Sequence, residues 1–205
     1  MVAFSIALVA ASSRTDKHGI AGTAGFFQDI RQNRENGFGL EIVSNITRVN
    51  VNGNVALIMA AWEMMRDEQG YGQIAVTCSS TALFGPVSFC TYNATKAYIY
   101  HFVQSLRIIS LQYNIDVICI CPGMIESGQT HAMIASGAIT PVAALADPNQ
   151  MAARIVKAVQ RKEGVCLWPL NQTLPLAAAK AINPLCEELG RWAGTASGLV
   201  TTLIS

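Results

Sequence analysis

The sequence predicts an α/β fold in which helices flank a parallel β-sheet. Three observations predict it: strand-like and helix-like segments alternate from about residue 45 onward, 51% of the 205 residues are hydrophobic, and only 13% are charged. This length and apolar fraction suffice for one domain with a buried core. Short strands that alternate with helices are typical of parallel β-α-β units. We therefore expect a single domain over residues 1–205, with an irregular part at residues 1–45.

The first half of the chain contains two weak and three strong secondary-structure signals. Residues 6–10 and 19–21 have weak strand character. In residues 45–66 apolar residues recur at alternating steps of four and three, which predicts a helix. Residues 73–78 follow a Gly-Tyr-Gly turn and predict a buried strand. A long helix is predicted over residues 92–113.

The second half continues the alternation. A strand is predicted over residues 116–121, and Pro122-Gly123, which follows, ends it. Asp147 followed by Pro148 predicts a helix N-cap, and Met151, Ile155 and Val159 share one face of that helix. A short strand at 165–168 and a last helix at 177–189 complete the pattern.

The charge balance and the cysteines exclude several classes of protein. A net charge of +1 gives no electrostatic footprint for nucleic acid, and the longest apolar run, residues 55–62, is too short to span a membrane. The six cysteines form no C-x-x-C pair and lie far from the histidines, so we expect neither structural zinc nor a disulfide framework. Cys119 and Cys121 alternate within an apolar run and are expected on one face of a buried strand. We expect a cytoplasmic protein.

Tyr92 and Lys96 are the first candidate catalytic residues. Their spacing of four places the phenol and the ammonium one turn apart on one face of the predicted helix. A free tyrosine titrates near pH 10, and a cation held close to it stabilises the phenolate that acid–base catalysis needs. The same pair also fits an ordinary solvated helix face, so the pair alone is a weak signal.

Ser79 is the next candidate because it closes a predicted strand thirteen residues before Tyr92. In parallel sheets, catalytic and binding groups collect at the carboxyl edge of the strands. A hydroxyl at that edge could donate a hydrogen bond to a substrate carbonyl oxygen. The alternatives are a serine that only ends a strand, and Ser80 as the functional hydroxyl if the register is shifted by one residue.

These residues resemble the short-chain dehydrogenase/reductase family. The resemblance is carried by G-Q-I-A-V-T-C-S-S at 72–80 and Y-N-A-T-K at 92–96, which match the family's serine strand and Y-x-x-x-K helix. V-N-V-N-G at 49–53 resembles the V-N-x-x-G segment, with Asn50 as the fourth catalytic residue. P-G-M-I-E-S at 122–127 resembles the P-G-x-I-x-T segment beside the nicotinamide.

The resemblance implies a Rossmann-like parallel sheet and an oxidoreductase that uses NAD or NADP to interconvert an alcohol and a carbonyl. It implies that Tyr92 exchanges the proton, Lys96 supports Tyr92 and binds the ribose, Ser79 orients the substrate oxygen and Asn50 holds a relay water. The implied cofactor-binding residues are Tyr92, Lys96, Pro122, Gly123, Ile125 and Ser127, together with Ala24 and Gly25 discussed below.

The resemblance fails in the first 45 residues. The family's glycine-rich turn, T-G-x-x-x-G-x-G, is not present in the sequence. Thr23-Ala24-Gly25 matches the N-A-G that ends the family's fourth strand, which implies that the earlier strands are missing or altered. The chain is thus interpreted as an N-terminally shortened member, and we expect it to bind dinucleotide poorly. The alternative function is a non-catalytic relative that binds no dinucleotide.

The sequence also bears on the substrate and on the oligomeric state. Methionines and leucines near the loop between Ser127 and Asp147 suggest a small apolar alcohol or carbonyl substrate. The resemblance implies a homo-oligomer packed through the long helices, with Tyr98, Phe102 and Leu106 as candidates for its surface. A core position is an equal alternative for these three side chains.

Overall fold

The protein is described by a computed structural model over residues 5–7, 40–84, 90–135 and 143–182. Four strands form one parallel sheet in the order β1-β2-β3-β4, so neighbours in the sequence are neighbours in the sheet. The strands are β1 (Ser5–Ala7), β2 (Gly72–Thr77), β3 (Ile115–Pro122) and β4 (Val165–Trp168). The predicted α/β class with a parallel sheet is confirmed.

Within the described residues, six α-helices accompany these strands. They are α1 (Leu40–Thr47), α2 (Asn54–Met64), α3 (Cys90–Ser110), α4 (Gly128–Ala135), α5 (Pro148–Gln160) and α6 (Leu170–Ile182). Two π-helical segments, Arg48–Gly53 and Met65–Gln69, follow α1 and α2. Two 3₁₀ turns, Ser80–Ala82 and Leu111–Tyr113, follow β2 and α3. Within the described ranges, no helix combines the length and the apolar character that a membrane span requires.

The side chains of β2 and β3 alternate between two apolar cores because successive strand residues point to opposite faces of a sheet. Ile74 and Val117 lie in the first core with Ile58 of α2 and Val103 of α3. The second core, on the other face, holds four further strand residues and α5; its buried members are Ala75, Ile118, Ile120, Met151, Ala158 and Cys166. The central strands are therefore covered on both faces, as near-continuous apolar strands require.

The helix before β2 is longer than predicted. Helical structure begins at Leu40, five residues before the predicted start, and continues through the π-helical segments to Gln69. Gly70 ends it with a left-handed φ of 68°, a conformation that glycine adopts without steric cost. This glycine lets the chain turn sharply into β2, which begins at Gly72.

The elements after α3 follow the prediction apart from the last helix and from α4, which lies between Ser127 and Asp147 where a loop was predicted. The carboxylate of Asp147 accepts a hydrogen bond from the N–H of Asn149 at 2.8 Å, so the predicted N-cap is confirmed. The predicted strand at 165–168 coincides with β4. The last helix begins at Leu170 rather than at 177, because Pro175 lies inside the helix instead of preceding it. Residues 183–189 lie outside the described residues.

The three predicted surface residues of α3 have different environments. Leu106 is buried in the first core, and Phe102 packs against that core while its ring stacks on Tyr98. Tyr98 is half exposed. A core position is thus correct for Leu106, and association through the long helices stays a prediction.

Candidate active site

The carboxyl ends of β2, β3 and β4 bring the candidate residues to one edge of the sheet. Ser79 follows β2, Gly123 follows β3, and α6 begins two residues after β4 ends. Because the three strands are parallel neighbours, these segments lie side by side. The first turns of α3 lie against this edge, since the Cys78 thiol donates a hydrogen bond to the Lys96 carbonyl at 3.1 Å.

Tyr92 and Lys96 face each other on the first turns of α3. The Lys96 ammonium lies 5.5 Å from the centroid of the Tyr92 ring, and both side chains are partly buried. At this distance a cation interacts favourably with an aromatic face. The one-turn separation expected from the spacing of four is present.

Asn50 reaches the same helix through Thr95. The Asn50 side-chain amide donates to the Thr95 hydroxyl at 3.2 Å, and that hydroxyl donates to the Tyr92 carbonyl at 2.8 Å. Thr95 is buried, with 4% of its surface exposed, whereas Asn50 and Tyr92 are partly buried. Asn50 lies in the π-helical segment after α1, a type of distortion that often occurs at functional sites. Thr95 was not predicted from the sequence, although it lies inside the Y-N-A-T-K segment.

The two candidate serines have different environments. The Ser79 hydroxyl accepts hydrogen bonds from the Thr81 N–H at 3.2 Å and from the Thr81 hydroxyl at 3.0 Å. Both bonds use the Ser79 oxygen as acceptor, so its own O–H can point to a substrate oxygen. Ser79 is half-buried, whereas Ser80 is buried with 6% exposed and begins the 3₁₀ turn. This difference in exposure favours Ser79 as the hydroxyl that a substrate can reach.

Three buried cysteines, Cys78, Cys119 and Cys121, lie close to Lys96. Hydrogen bonds from the Cys119 and Cys121 thiols lower the pKa of the Cys78 thiol, and the positive charge of Lys96 acts in the same direction. The same sharing of protons raises the pKa of Cys119, while its burial adds to the increase. Burial raises the pKa of the nearby Tyr100 phenol, and the three cysteines add to that shift. The lowered pKa of Cys78 and the raised pKa of Cys119 thus both follow from the contacts among these three side chains.

The segment after β3, around Ile125, pairs with a second segment of the chain at Ala146. Ile125 forms a parallel bridge with Ala146, in which Ala146 exchanges hydrogen bonds with Met124 and Glu126. In this pattern the N–H and C=O of Ile125 itself point away from Ala146. The Ile125 carbonyl accepts from the Thr130 hydroxyl at 2.7 Å, on the side opposite the bridge. The bridge with Ala146 therefore does not use the N–H and C=O of Ile125, the two groups that could bond to a carboxamide.

Ser127 caps α4 in this structure. Its hydroxyl accepts from the Thr130 N–H at 3.1 Å and lies 2.9 Å from the Thr130 hydroxyl, at an exposed position. This is the usual way in which a serine stabilises a helix N-terminus. Pro122 is the last residue of β3. Ala24 and Gly25 lie outside the described residues.

Gln172 is a residue of the site that the sequence did not reveal. Its Oε1 accepts from the Met124 N–H at 2.6 Å, and its Nε2 donates to the Ala144 carbonyl at 3.0 Å. A Cβ at position 123 would overlap the Gln172 side chain, so only a glycine there allows this close approach. Gln172 thus connects α6 to two segments of backbone near Ile125, one at Met124 and the other at Ala144. The signal was hidden because the last helix was predicted to begin at residue 177.

We expect Gln172→Leu to loosen the segment 122–127, because the Met124 N–H would lose its acceptor. The measurement is hydrogen–deuterium exchange of a peptide that covers residues 122–127. Exchange should be faster in Gln172→Leu and unchanged in Asn171→Leu, since Asn171 is an exposed neighbour on the same helix. Equal exchange in both variants would contradict the role of Gln172 in holding this segment.

Comparison with known proteins identifies the family. The family model described as short chain dehydrogenase matches residues 21–137, which is more than half of the chain. The chain belongs to the short-chain dehydrogenase family. The matched region includes Asn50, Ser79, Tyr92 and Lys96.

Individual relatives agree with this assignment. An uncharacterized oxidoreductase of Myxococcus xanthus is 27% identical over 152 residues, which cover 74% of this chain and 58% of that protein. A second uncharacterized oxidoreductase, from Thermotoga maritima, is 29% identical over 147 residues, covering 72% of this chain and 52% of that protein. The chain therefore spans somewhat over half the length of these two relatives.

Solved structures confirm the fold. A short-chain dehydrogenase from Sphingobium yanoikuyae in complex with NADPH superposes with a TM-score of 0.56 at 18% identity, covering 79% of this chain and 57% of that one. This similarity places the described sheet and helices in an α/β Rossmann-like fold.

Proposed function

We propose that the protein is an NAD(P)-dependent oxidoreductase that interconverts a small apolar alcohol and the corresponding carbonyl compound. One observation carries the proposal: Lys96 and the Asn50–Thr95 hydrogen bonds converge on Tyr92 at the start of α3. Family membership and the relatives described as oxidoreductases support this reaction class.

Tyr92 is the proposed acid–base group. Its phenol would give a proton to the carbonyl oxygen during reduction and take it back during alcohol oxidation. The Lys96 ammonium stabilises the phenolate that remains after the proton has left. The Asn50 amide and the Thr95 hydroxyl hold the backbone of Tyr92, and Asn50 is the residue that the family pattern assigns to a relay water.

Ser79 is the proposed group that orients the substrate. Its hydroxyl oxygen is held by the two hydrogen bonds from Thr81, which fix the position from which its O–H donates. A donor aimed at the carbonyl oxygen stabilises the negative charge that develops there as the bond order falls. Ser79 and Tyr92 would then contact the same oxygen atom from β2 and α3.

The described residues fit the nicotinamide half of a dinucleotide. The outward-facing backbone of Ile125, beside the glycine at position 123, can receive a carboxamide, and Lys96 can donate to ribose hydroxyls. When bound, the cofactor supplies the hydride that is exchanged with the substrate carbon. Pro122 ends the strand that places this segment, and Ser127 fixes its far end by capping α4.

The non-catalytic alternative keeps one specific observation in its favour. The sequence contains no T-G-x-x-x-G-x-G, the turn whose backbone holds the pyrophosphate in the family. A binding measurement with NADH and NADPH therefore distinguishes the two functions. Weak binding is compatible with catalysis, whereas the non-catalytic alternative binds no dinucleotide.

We expect the 205-residue chain to bind NADH and NADPH with a dissociation constant in the millimolar range or weaker. Each charge-assisted hydrogen bond that the glycine-rich turn would supply is worth about 1.5–3 kcal/mol, and losing a few raises a micromolar constant about a thousandfold. A fluorescence and thermal-shift titration measures this constant. Ligand at about a hundred times the dissociation constant stabilises a competent site by about 2.7 kcal/mol. A stabilisation of that size at submillimolar ligand would contradict the expected weakness.

The function itself is tested by carbonyl reduction with millimolar NADH or NADPH and a panel of small apolar ketones. Consumption of the reduced cofactor with matching formation of alcohol supports the proposal. A folded protein that neither dinucleotide stabilises and that reduces none of the ketones would favour the non-catalytic alternative.

A further inference from the structure

Cys78, Cys119 and Cys121 form a compact group of thiols, called here the thiol cluster. Their three Sγ atoms all lie within 4.8 Å of one another, and those of Cys119 and Cys121 are 3.8 Å apart. The cysteines are buried, with 4%, 0% and 0% of their surface exposed. The sequence predicted no metal site because the cysteines lack close ligand spacing along the chain, whereas this cluster joins Cys78, which follows β2, to two residues of β3.

Two neighbouring strands hold the thiol cluster in place. Cys119 and Cys121 are two residues apart in β3, so their side chains project from the same face of the sheet. Cys78 follows β2, and its N–H donates to the Ile120 carbonyl at 2.7 Å, which sets it beside Cys121. All three side chains belong to the first core. The sulfur atoms are therefore positioned by backbone pairing and packing, before any ligand binds.

The spacing of the sulfur atoms matches that of a metal–thiolate site. A metal–sulfur distance of about 2.3 Å places three sulfur ligands about 4.0 Å apart in a planar trigonal site, and about 3.8 Å apart in a tetrahedral one. The 3.8 Å between Cys119 and Cys121 falls at these values, and the 4.8 Å limit on the other pairs requires a contraction of less than an ångström.

The donor set decides which ion the cluster suits. Among the described residues, no histidine or carboxylate joins the three sulfurs, so the site offers three soft ligands and no hard one. Soft thiolates suit zinc as well as monovalent copper, but structural zinc sites are almost always four-coordinate and this cluster offers three ligands. We propose that Cys78, Cys119 and Cys121 form a three-sulfur binding site for Cu(I).

Copper binding changes the protonation of the cluster. Binding displaces thiol protons to solvent, because the thiolate is the ligand form. The hydrogen bond that the Cys78 thiol donates to the Lys96 carbonyl, 3.1 Å away, is lost when that proton leaves. A low-coordinate ion also suits a core from which water is excluded. This inference does not depend on the proposed oxidoreductase activity.

The structure supplies a matched control for the test. Cys166 is fully buried in the adjacent strand β4, but it lies in the second core on the opposite face of the sheet. The exposed Cys90 on α3 controls for binding at the surface. If burial and thiol content alone were enough for binding, substituting Cys166 would matter as much as substituting a member of the thiol cluster.

The experiment titrates the reduced full chain with Cu(I) under anaerobic conditions against a chromogenic Cu(I) chelator. We expect one Cu(I) per chain, and X-ray absorption should show three sulfur neighbours at about 2.3 Å. Since losing an outer-shell partner already costs about 10–100-fold in affinity, Cys78→Ala, Cys119→Ala and Cys121→Ala should each lower it by at least about tenfold. Cys166→Ala and Cys90→Ala should bind as the unsubstituted chain does.

Several results would overturn the proposal. They are no binding against the chelator, a coordination shell with nitrogen or oxygen in place of sulfur, and loss of binding in Cys90→Ala or Cys166→Ala instead of the cluster variants. Tighter binding of Zn(II) than of Cu(I) in a parallel titration would also reject it. The absorption measurement uses the unsubstituted chain, so it decides the matter even if a core variant fails to fold.

Discussion

Replacing Tyr92 by phenylalanine is expected to lower the rate of carbonyl reduction by about 10²–10⁴-fold, the usual contribution of general acid–base catalysis. The substitution keeps the aromatic ring beside Lys96 and removes only the hydroxyl that carries the proton. The structure of α3 should be preserved because the Thr95 hydroxyl bonds to the Tyr92 backbone and not to its side chain. The measurement is turnover of a reducible ketone at millimolar NADH or NADPH.

The control for this experiment is Tyr98→Phe, on the same helix. Tyr98 is half exposed and stacks on Phe102, away from the hydrogen bonds that hold Tyr92. It should keep the unsubstituted rate. Lys96→Met is expected to act through the same chemical step as Tyr92→Phe, since it removes the cation that stabilises the phenolate. A Tyr92→Phe protein with an unchanged rate would remove Tyr92 from the proposed mechanism.

Replacing Ser79 by alanine is expected to lower turnover by about 10²–10³-fold, the usual cost of removing one donor to a developing oxyanion. Ser80→Ala should have a much smaller effect because Ser80 is buried in the 3₁₀ turn, whereas Ser79 is half-buried. Both substitutions remove one hydroxyl from adjacent positions, so each serves as the control for the other. Rates are compared under the conditions used for Tyr92→Phe.

The reverse order, with Ser80→Ala much more damaging than Ser79→Ala, would contradict the assignment. It would place the functional hydroxyl one residue later and shift the match to the family pattern between β2 and α3. Circular dichroism of both variants shows whether either change disturbs the fold.

Local signals predicted β3, β4 and α5 in the second half, whereas α4 lies where a loop was predicted. The strand β4 was predicted at its observed bounds, and the Asp147 cap follows from the carboxylate and the proline that come before an amphipathic helix. Met151, Ile155 and Val159 face the second core, as their spacing predicts. In each case the decisive interactions lie within a few residues along the chain.

The features that sequence reasoning missed depend on contacts between distant residues. Gln172 reaches Met124 across 48 positions, and no periodicity or cap marks it. Cys78 meets Cys121 because β2 and β3 are paired in a particular register. Strand register is set by the packing of a whole face, which a single sequence shows only in part.

The candidate catalytic residues were found because their spacing carries chemistry. Tyr92 and Lys96 lie one helical turn apart, a relation that helix geometry fixes from the sequence alone. The link from Asn50 to Thr95 could not be predicted in this way, since it joins two helical segments 45 positions apart. The roles of Asn50, Ser79, Tyr92 and Lys96 stay predictions until they are measured.

Transfer of deuterium tests the central proposal most directly. The protein is incubated with millimolar NADH or NADPH deuterated at the transferable position and with a small apolar ketone, and the product alcohol is examined by mass spectrometry and NMR. The account predicts deuterium on the carbinol carbon with the unsubstituted protein and a strongly reduced amount with Tyr92→Phe. A folded protein that binds the dinucleotide but transfers no label to any ketone of the panel would contradict it.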